Sequence, residues 1–230
     1  MSSNDDLGDR MKRSESVPSN RLMRRVPVIL RADGKAFSTF SSSLEKPVDS
    51  RMQACMWAAA KYMCQEMQGA KLAYVQSDEI SVVMTDYATH TSEAWFDYQV
   101  QKMVSVGAAL ATVAFNKAMQ VYMPDCNKMP VFDARVYNVP LHEVANYFLW
   151  RQQDATRNSI SSLAQANFSH TRLHGVDTGG MQEMLFTEKN INWNDCPTSQ
   201  KRGVCIKKVQ KTILAMNPKT GVSTDAIRSS

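Results

Sequence analysis

A chain of 230 residues, 43% hydrophobic and 21% charged, has the balance of a globular protein and enough length for one large domain or a domain with a substantial appendage. No apolar run approaches the roughly 18 residues of a membrane-spanning helix, and residues 1–6 are polar and acidic, unlike a signal peptide, so the expected compartment is the cytoplasm. Lys and Arg number 27 against 22 Asp and Glu, a net charge of +5 that is compatible with a polyanionic partner without requiring one.

The N-terminal stretch carries Arg10, Lys12, Arg13, Arg21, Arg24 and Arg25, and Lys201, Arg202, Lys207, Lys208 and Lys211 lie toward the other end. Basic ends thus flank an acidic centre, although each cluster reads equally well as solvated surface. Cys55, Cys64, Cys126, Cys196 and Cys205 are scattered without a C-x-x-C spacing, which suits reduced thiols.

In chain order, residues 5–15 suit a short helix, and Ser16-Val17-Pro18-Ser19-Asn20 reads as a linker. A strand over 26–31 then delivers Asp33-Gly34-Lys35-Ala36-Phe37-Ser38, a turn in which Gly34 has no side chain to keep a phosphate from the backbone amides. Pro47 and Asp49 suit the first turn of a helix over 48–68, whose Met, Ala and Cys content points to core packing. Strands over 71–76 and 80–85 meet at a tight turn holding Asp78 and Glu79. A helix over 93–122 is expected to bury Trp95, Phe96, Val100, Met103, Val104, Ala108 and Ala111, with Lys102 on its polar side. A strand over 131–139 alternates Phe132, Ala134 and Val136 with Asp133, Arg135 and Tyr137. From Leu141 a helical region continues into polar residues 155–168. Beyond it come a Gly179-Gly180 turn, a short strand or helix at 183–187 and a loop over 190–203.

The core order is βαββαβ, the ferredoxin-like order, so the expected class is α+β with helical and C-terminal additions. The expected division is a basic segment (1–25), a catalytic core (26–140) and a helical and C-terminal region (141–230). In this topology the first and third strands are antiparallel neighbours, which brings Asp33 to face Asp78 and Glu79. Clustered carboxylates repel unless a cation neutralises them, and hard oxygen ligands favour Mg²⁺ over Zn²⁺. Two such ions about 4 Å apart would suit in-line nucleotidyl transfer. A lone Asp-Glu turn is otherwise an ordinary solvated hairpin tip.

Arg31-Ala32-Asp33-Gly34-Lys35-Ala36-Phe37, Lys46-Pro47-Val48-Asp49, Tyr74-Val75-Gln76-Ser77-Asp78-Glu79-Ile80-Ser81, Phe132-Asp133-Ala134-Arg135 and Tyr147-Phe148-Leu149-Trp150-Arg151-Gln152-Gln153-Asp154 together resemble the tRNA-His guanylyltransferase family. The resemblance implies a polymerase-palm-like core that adds nucleotides in the 3′-5′ direction, with ATP and GTP or other nucleoside triphosphates as substrates, tRNA as partner and a homotetramer as the assembly. It implies that Asp33, the Gly34 carbonyl and Asp78 hold two Mg²⁺ with Glu79 beside them. It further implies that Asp33, Gly34, Lys35, Ala36, Phe37, Ser38, Lys46, Asp49, Ser77 and Asp78 bind the nucleotide, and that Lys102 contacts the triphosphate.

Where eukaryotic members carry His-Ile-Asn-Asn-Leu-Tyr-Asn, this chain has Thr156-Arg157-Asn158-Ser159-Ile160-Ser161-Ser162. Without that histidine the chain resembles the bacterial guanylyltransferase-like branch, which implies templated repair of tRNA 5′ ends. The alternatives are addition of G₋₁ to histidine tRNA, a nucleotide cyclase, which needs no RNA acceptor, and a non-catalytic RNA-binding module, which would show no Mg²⁺-dependent incorporation.

Overall fold

The computed structural model describes residues 6–216 and 223–229; residues 1–5 and the side chain of Lys211, which entered the sequence expectations, lie outside what is described. In chain order the elements are α1 (Asp6–Ser16), β1 (Val28–Gly34), α2 (Phe37–Ser41), α3 (Ser50–Glu66), β2 (Ala70–Gln76), β3 (Glu79–Met84), α4 (Val100–Tyr122) and β4 (Phe132–Asn138). They continue with α5 (Val144–Asn167), α6 (His170–Leu173), α7 (Thr178–Lys189), α8 (Thr198–Arg202), β5 (Val204–Ile206), β6 (Gln210–Met216) and β7 (Ser223–Ser229).

The result is a mixed α+β fold on a five-stranded antiparallel sheet in the order β4-β1-β3-β2-β5. Alternation along β1 and β3 splits the sheet into two apolar faces. Val28, Leu30, Ala32, Ile80, Val82 and Met84 turn to one side, where α3 and α4 cover them with Cys55, Met56, Ala59, Ala60, Met63, Met103, Ala111 and Phe115. The Met, Ala and Cys content of α3 is therefore core packing, and all five thiols are free. Ile29 and Val83 turn to the other side, against Tyr147 and Phe148 at the start of α5. A third cluster joins the end of α5 to α7 through Ile160, Leu163, Ala164, Leu185 and Trp193.

Several expectations change. The helix placed over 93–122 is interrupted: Trp95–Tyr98 is a single 3₁₀ turn, and α4 proper begins at Val100. Phe96, Asp97 and Tyr98 all take positive φ (50°, 49° and 54°), a conformation that costs non-glycine residues energy and persists only when the surroundings hold it. Burial of Trp95 and Tyr98 and ion pairs from Arg21 and Arg24 to Asp97 do so here. The buried face of α4 is consequently Met103, Gly107, Ala111, Ala114, Phe115, Ala118 and Met119, while Phe96 is exposed and Val100, Val104 and Ala108 are half-buried. Gly107 lets α4 sit close to β1, since a Cβ there would lie 2.6 Å from the end of the Leu30 side chain, which would have to shift.

The segment read as a linker is docked, with the Val100 amide donating to the Asn20 carbonyl (2.9 Å) and Gln99 to the Ser19 hydroxyl (3.0 Å). Residues 183–187 belong to α7, and the loop expected over 190–203 contains a 3₁₀ turn and α8. β5, absent from the sequence expectations, adds Val204–Ile206 to the free edge of β2.

Asp49 caps α3. Its buried carboxylate accepts from the Arg51 and Met52 amides (2.9 and 3.3 Å), from the Arg51 guanidinium (2.6 and 3.1 Å) and from the Glu45 amide (3.3 Å). Hydrogen bonding to Arg51 above all holds its pKa near 2, from an ordinary 3.8. The depressed value means that the stabilisation is complete above pH 3.8 and disappears as pH falls through about 2. Asp49→Ala should cost about 1–2 kcal/mol at pH 7, tempered by the exposure of Arg51, and the gap from wild type should close in urea melts below pH 3. A gap unchanged down to pH 2 would refute the capping account.

Candidate active site

Asp33 is at the end of β1 and Glu79 at the start of β3, and they are direct cross-strand partners, so both project from the face that α5 covers. Asp78 is one residue earlier, at the tip of the β2–β3 hairpin, where Ser77 takes a positive φ of 47°. The Gly34 amide donates to the Asp78 carbonyl (3.1 Å) and ties this tip to the end of β1. Arg31, Asp33, Gln76, Ser77, Asp78 and Glu79 from the sheet and Trp150, Arg151, Asp154 and Asn158 from α5 line one cleft of about 400 Å³.

The three expected carboxylates are not equivalent. Glu79 is buried and accepts a fork from Arg151, Nε to Oε1 (2.9 Å) and Nη2 to Oε2 (2.6 Å). Ser81 donates to the same Oε1 (3.1 Å) and shares a hydrogen bond with the Tyr147 hydroxyl (2.7 Å). Arg151 also reaches Asp154 (3.0 Å) and lies over the Trp150 ring at 4.4 Å. Glu79 thus has its countercharge within the protein. Among the described residues neither Asp33 nor Asp78 forms a salt bridge. The Asp78 carboxyl is pushed above the ordinary carboxylate range by burial, against the Ser77 hydrogen bond, with the charges of Asp33 and Glu79 adding to the rise. No group of three His, Cys, Asp or Glu side chains able to hold a metal occurs among the described residues. The surplus charge of Asp33 and Asp78 fits a cation.

The turn after β1 is partly committed. The Gly34 amide is bound to Asp78 and the Lys35 amide to the Val131 carbonyl (2.9 Å). Ala36 takes a left-handed φ of 55° and α2 starts at Phe37 without a side-chain cap. Of the amides in this turn, those of Ala36, Phe37 and Ser38 are left without a backbone acceptor. A Cβ on Gly34 would fall 2.2 Å from the Phe37 ring, so glycine is what lets Phe37 fold back into the core with Phe40, Phe115 and Phe132.

Beside the carboxylate cleft is a second cavity of about 190 Å³, bounded by Lys46, Asp49, Met52, Gln53, Trp57, Ser77, Asn158, Ser159, Ser162 and Gln200. Gln76, Ser77 and Asn158 line both cavities. Lys46 is exposed at the mouth, its ammonium donating to the Ser41 carbonyl (3.0 Å). Asp49 borders the cavity with its oxygens filled by the helix cap and Arg51, so it shapes the wall. Lys102 is not brought here. It lines a separate cleft with Lys12, Ser16, Ser19 and Gln99, at the end of α4 that meets the N-terminal segment, whereas the carboxylates are at the far end, where Phe115 packs on Phe37.

Most of the hydroxyls of residues 156–162 turn back into α5. Thr156 donates to the Gln152 carbonyl (2.9 Å), Ser161 to Arg157 (3.0 Å) and Ser159 to Thr156 (2.9 Å), while the Trp193 indole donates to Ser159 (3.0 Å). Sequence reasoning named no role for Arg151, Gln76 or Trp57. Arg151 could have been found as a lone cation one helical turn after Tyr147 on a face that must bury apolar residues.

The sequence profile of the tRNAHis guanylyltransferase (Thg1) family matches residues 8–140. The chain belongs to this family. It is a Thg1-like nucleotidyltransferase. A bacterial tRNA(His) guanylyltransferase-like protein in complex with ATP superposes with a TM-score of 0.85 at 45% identity, over 96% of this chain and 91% of that one. A second, in complex with GTP, gives 0.79 at 40% identity over 98% and 90%. The tRNA(His) guanylyltransferase of Schizosaccharomyces pombe is 31% identical over 80% of this chain and 74% of its own. The matched stretch holds β1 and the β2–β3 hairpin, hence Asp33, Asp78 and Glu79; Arg151, which pairs with Glu79, comes from α5 beyond it.

Proposed function

We propose that this chain adds nucleotides to the 5′ end of tRNA in the 3′-5′ direction, choosing each nucleotide by pairing with the opposite strand. The observation that carries this is the pair Asp33 and Asp78, left without a protein countercharge in an open cleft that adjoins a cavity lined by Gln53, Trp57 and Asn158. That is the arrangement a nucleoside triphosphate needs, with the base in the cavity and the phosphates at the carboxylates. The solved neighbours bound to ATP and to GTP support nucleoside triphosphates as substrates.

Two Mg²⁺ fit Asp33 and Asp78, because their charge surplus and hard oxygens suit that ion, with the Gly34 carbonyl as a further oxygen. When bound, Mg²⁺ would lower the pKa of the nucleotide's 3′-hydroxyl and neutralise charge on the reacting phosphate. The protein's own groups do the positioning. The Gly34 amide fixes the hairpin tip against β1. Lys46 supplies a point charge at the cavity mouth for the triphosphate, with the Ala36, Phe37 and Ser38 amides. The Glu79–Arg151 fork fastens α5 over the sheet. In this assignment residues 26–140 are a polymerase-palm-like catalytic core, residues 1–25 a basic segment for RNA, and residues 141–230 a helical and C-terminal region whose α5 lines the cleft. Exposed Val113, Val121 and Tyr122 on α4 offer apolar surface for a homotetramer, which light scattering would detect.

Templating rests on residues 156–162. A site that adds G whatever lies opposite must recognise G, and here most of the hydroxyls are spent inside α5. With a 5′-truncated tRNA whose template base is changed to each of the four, the added nucleotide should be the complement every time. Addition of G in all four cases would overturn templating and leave nucleotidyl transfer standing.

A further inference from the structure

Gln76 ends β2, opposite Glu79 on β3, with its side chain on the face covered by α5. It is 5% exposed, and its Oε1 is buried without a hydrogen-bond partner. A buried amide oxygen left unpaired costs on the order of 1–3 kcal/mol, so it is a place for a ligand or water donor. Gln76 also lies on the border of both cavities, between the one bounded by Trp57 and Gln53 and the cleft of Asp33 and Asp78.

We infer that Gln76 is a specificity residue that hydrogen-bonds a ribose hydroxyl of the incoming nucleotide and so rejects the nucleotide that lacks it. The inference rests on the nucleotide-binding assignment proposed above. With the base in one cavity and the phosphates at the carboxylates, the sugar must cross the boundary that Gln76 lines. Its hydroxyls are the donors that pass there whichever base is bound, as a templated enzyme requires. A hydroxyl both donates and accepts, so it satisfies the amide in either orientation. A base contact would tie the site to one nucleotide. A site built to pair a substrate hydroxyl rejects the analogue that lacks it, because the buried protein group is then left orphaned again.

The test is titration calorimetry on the full chain with Mg²⁺ and no RNA, using GTP, 2′-deoxy-GTP and 3′-deoxy-GTP. Wild type should bind GTP at least about tenfold more tightly than one of the two analogues, and which one is rejected identifies the hydroxyl. Gln76→Met, similar in length and apolar, should lose about tenfold in GTP affinity, keep its affinity for that analogue and so bring the ratio near one. Thermal melting checks that the variant is folded. The wild-type ratio tests the inference even if the variant is not. Wild type binding all three nucleotides within about twofold would overturn the role of Gln76 and leave the proposed function intact. A folded Gln76→Met protein that keeps the wild-type ratio, or weakens all three equally, would also overturn it. Failure of wild type to bind GTP at all would instead remove the nucleotide assignment on which the inference stands.

Discussion

Asp78→Asn and Asp33→Asn should each abolish nucleotide incorporation, by about 10³-fold or more, while the protein stays folded and, for Asp78, melts no lower than wild type. The activity loss follows from the proposed role, since holding a divalent ion between two carboxylates does not survive the loss of one charge. The stability half comes from the site itself. Burial and the neighbouring charges of Asp33 and Glu79 push the Asp78 carboxyl up, which means that its ionised form opposes folding. A neutral amide of the same shape removes that opposition. The sign is the reverse of that at Asp49, where the carboxylate stabilises the fold and acid removes the contribution. Incorporation into a 5′-truncated tRNA, with thermal melting in metal-free buffer, checks both halves. Retained incorporation would remove the two-carboxylate site. A Tm several degrees lower for Asp78→Asn would show that the carboxylate is part of the scaffold.

What the sequence made legible was what period-2 alternation and turn chemistry control. Strand order and the meeting of Asp33 with the Asp78–Glu79 tip follow from βαββαβ topology, and the register places Asp33 opposite Glu79. The kink at Phe96, Asp97 and Tyr98 was not legible, because three positive φ angles on non-glycine residues are imposed by partners far away in sequence, Arg21 and Arg24 among them. Missing it misplaced the buried face of α4. The placement of Lys102 came from resemblance alone, and in the described chain that lysine is at the other end of the sheet from the carboxylates. β5 was overlooked because Val204–Ile206 is too short to announce itself, and it becomes a strand only where the free edge of β2 receives it. Most consequential was the difference among the three acids. Sequence spacing groups Asp33, Asp78 and Glu79, but which of them has a countercharge inside the protein depends on Arg151, 72 residues beyond Glu79.

That dependence gives the second large effect, in stability first. Arg151 and Glu79 side chains are each 9% exposed and joined by two hydrogen bonds, so removing the guanidinium strands a buried carboxylate beside two others. Arg151→Met should cost about 3–5 kcal/mol, the typical result of breaking one half of a buried pair. Glu79→Gln keeps the shape and some of the hydrogen bonding but leaves Arg151 with only Asp154 as an ionic partner, so a smaller loss is expected. The double variant should be much more stable than the sum of the single losses predicts, with an interaction energy of about 1–3 kcal/mol, because no charge is then orphaned. Activity separates positioning from direct metal binding at Glu79. If Glu79 acts through Arg151 by fastening α5 across the cleft, the double variant regains part of the incorporation lost in Arg151→Met and its Mg²⁺ requirement stays near that of wild type. If Glu79 ligates the ion itself, Glu79→Gln and the double variant both need far more Mg²⁺ for half-maximal rate, whatever their stability. Mg²⁺ titrations of the three proteins alongside urea melts therefore decide the role of Glu79, and additive stability losses with a shifted Mg²⁺ requirement would overturn the ion-pair account.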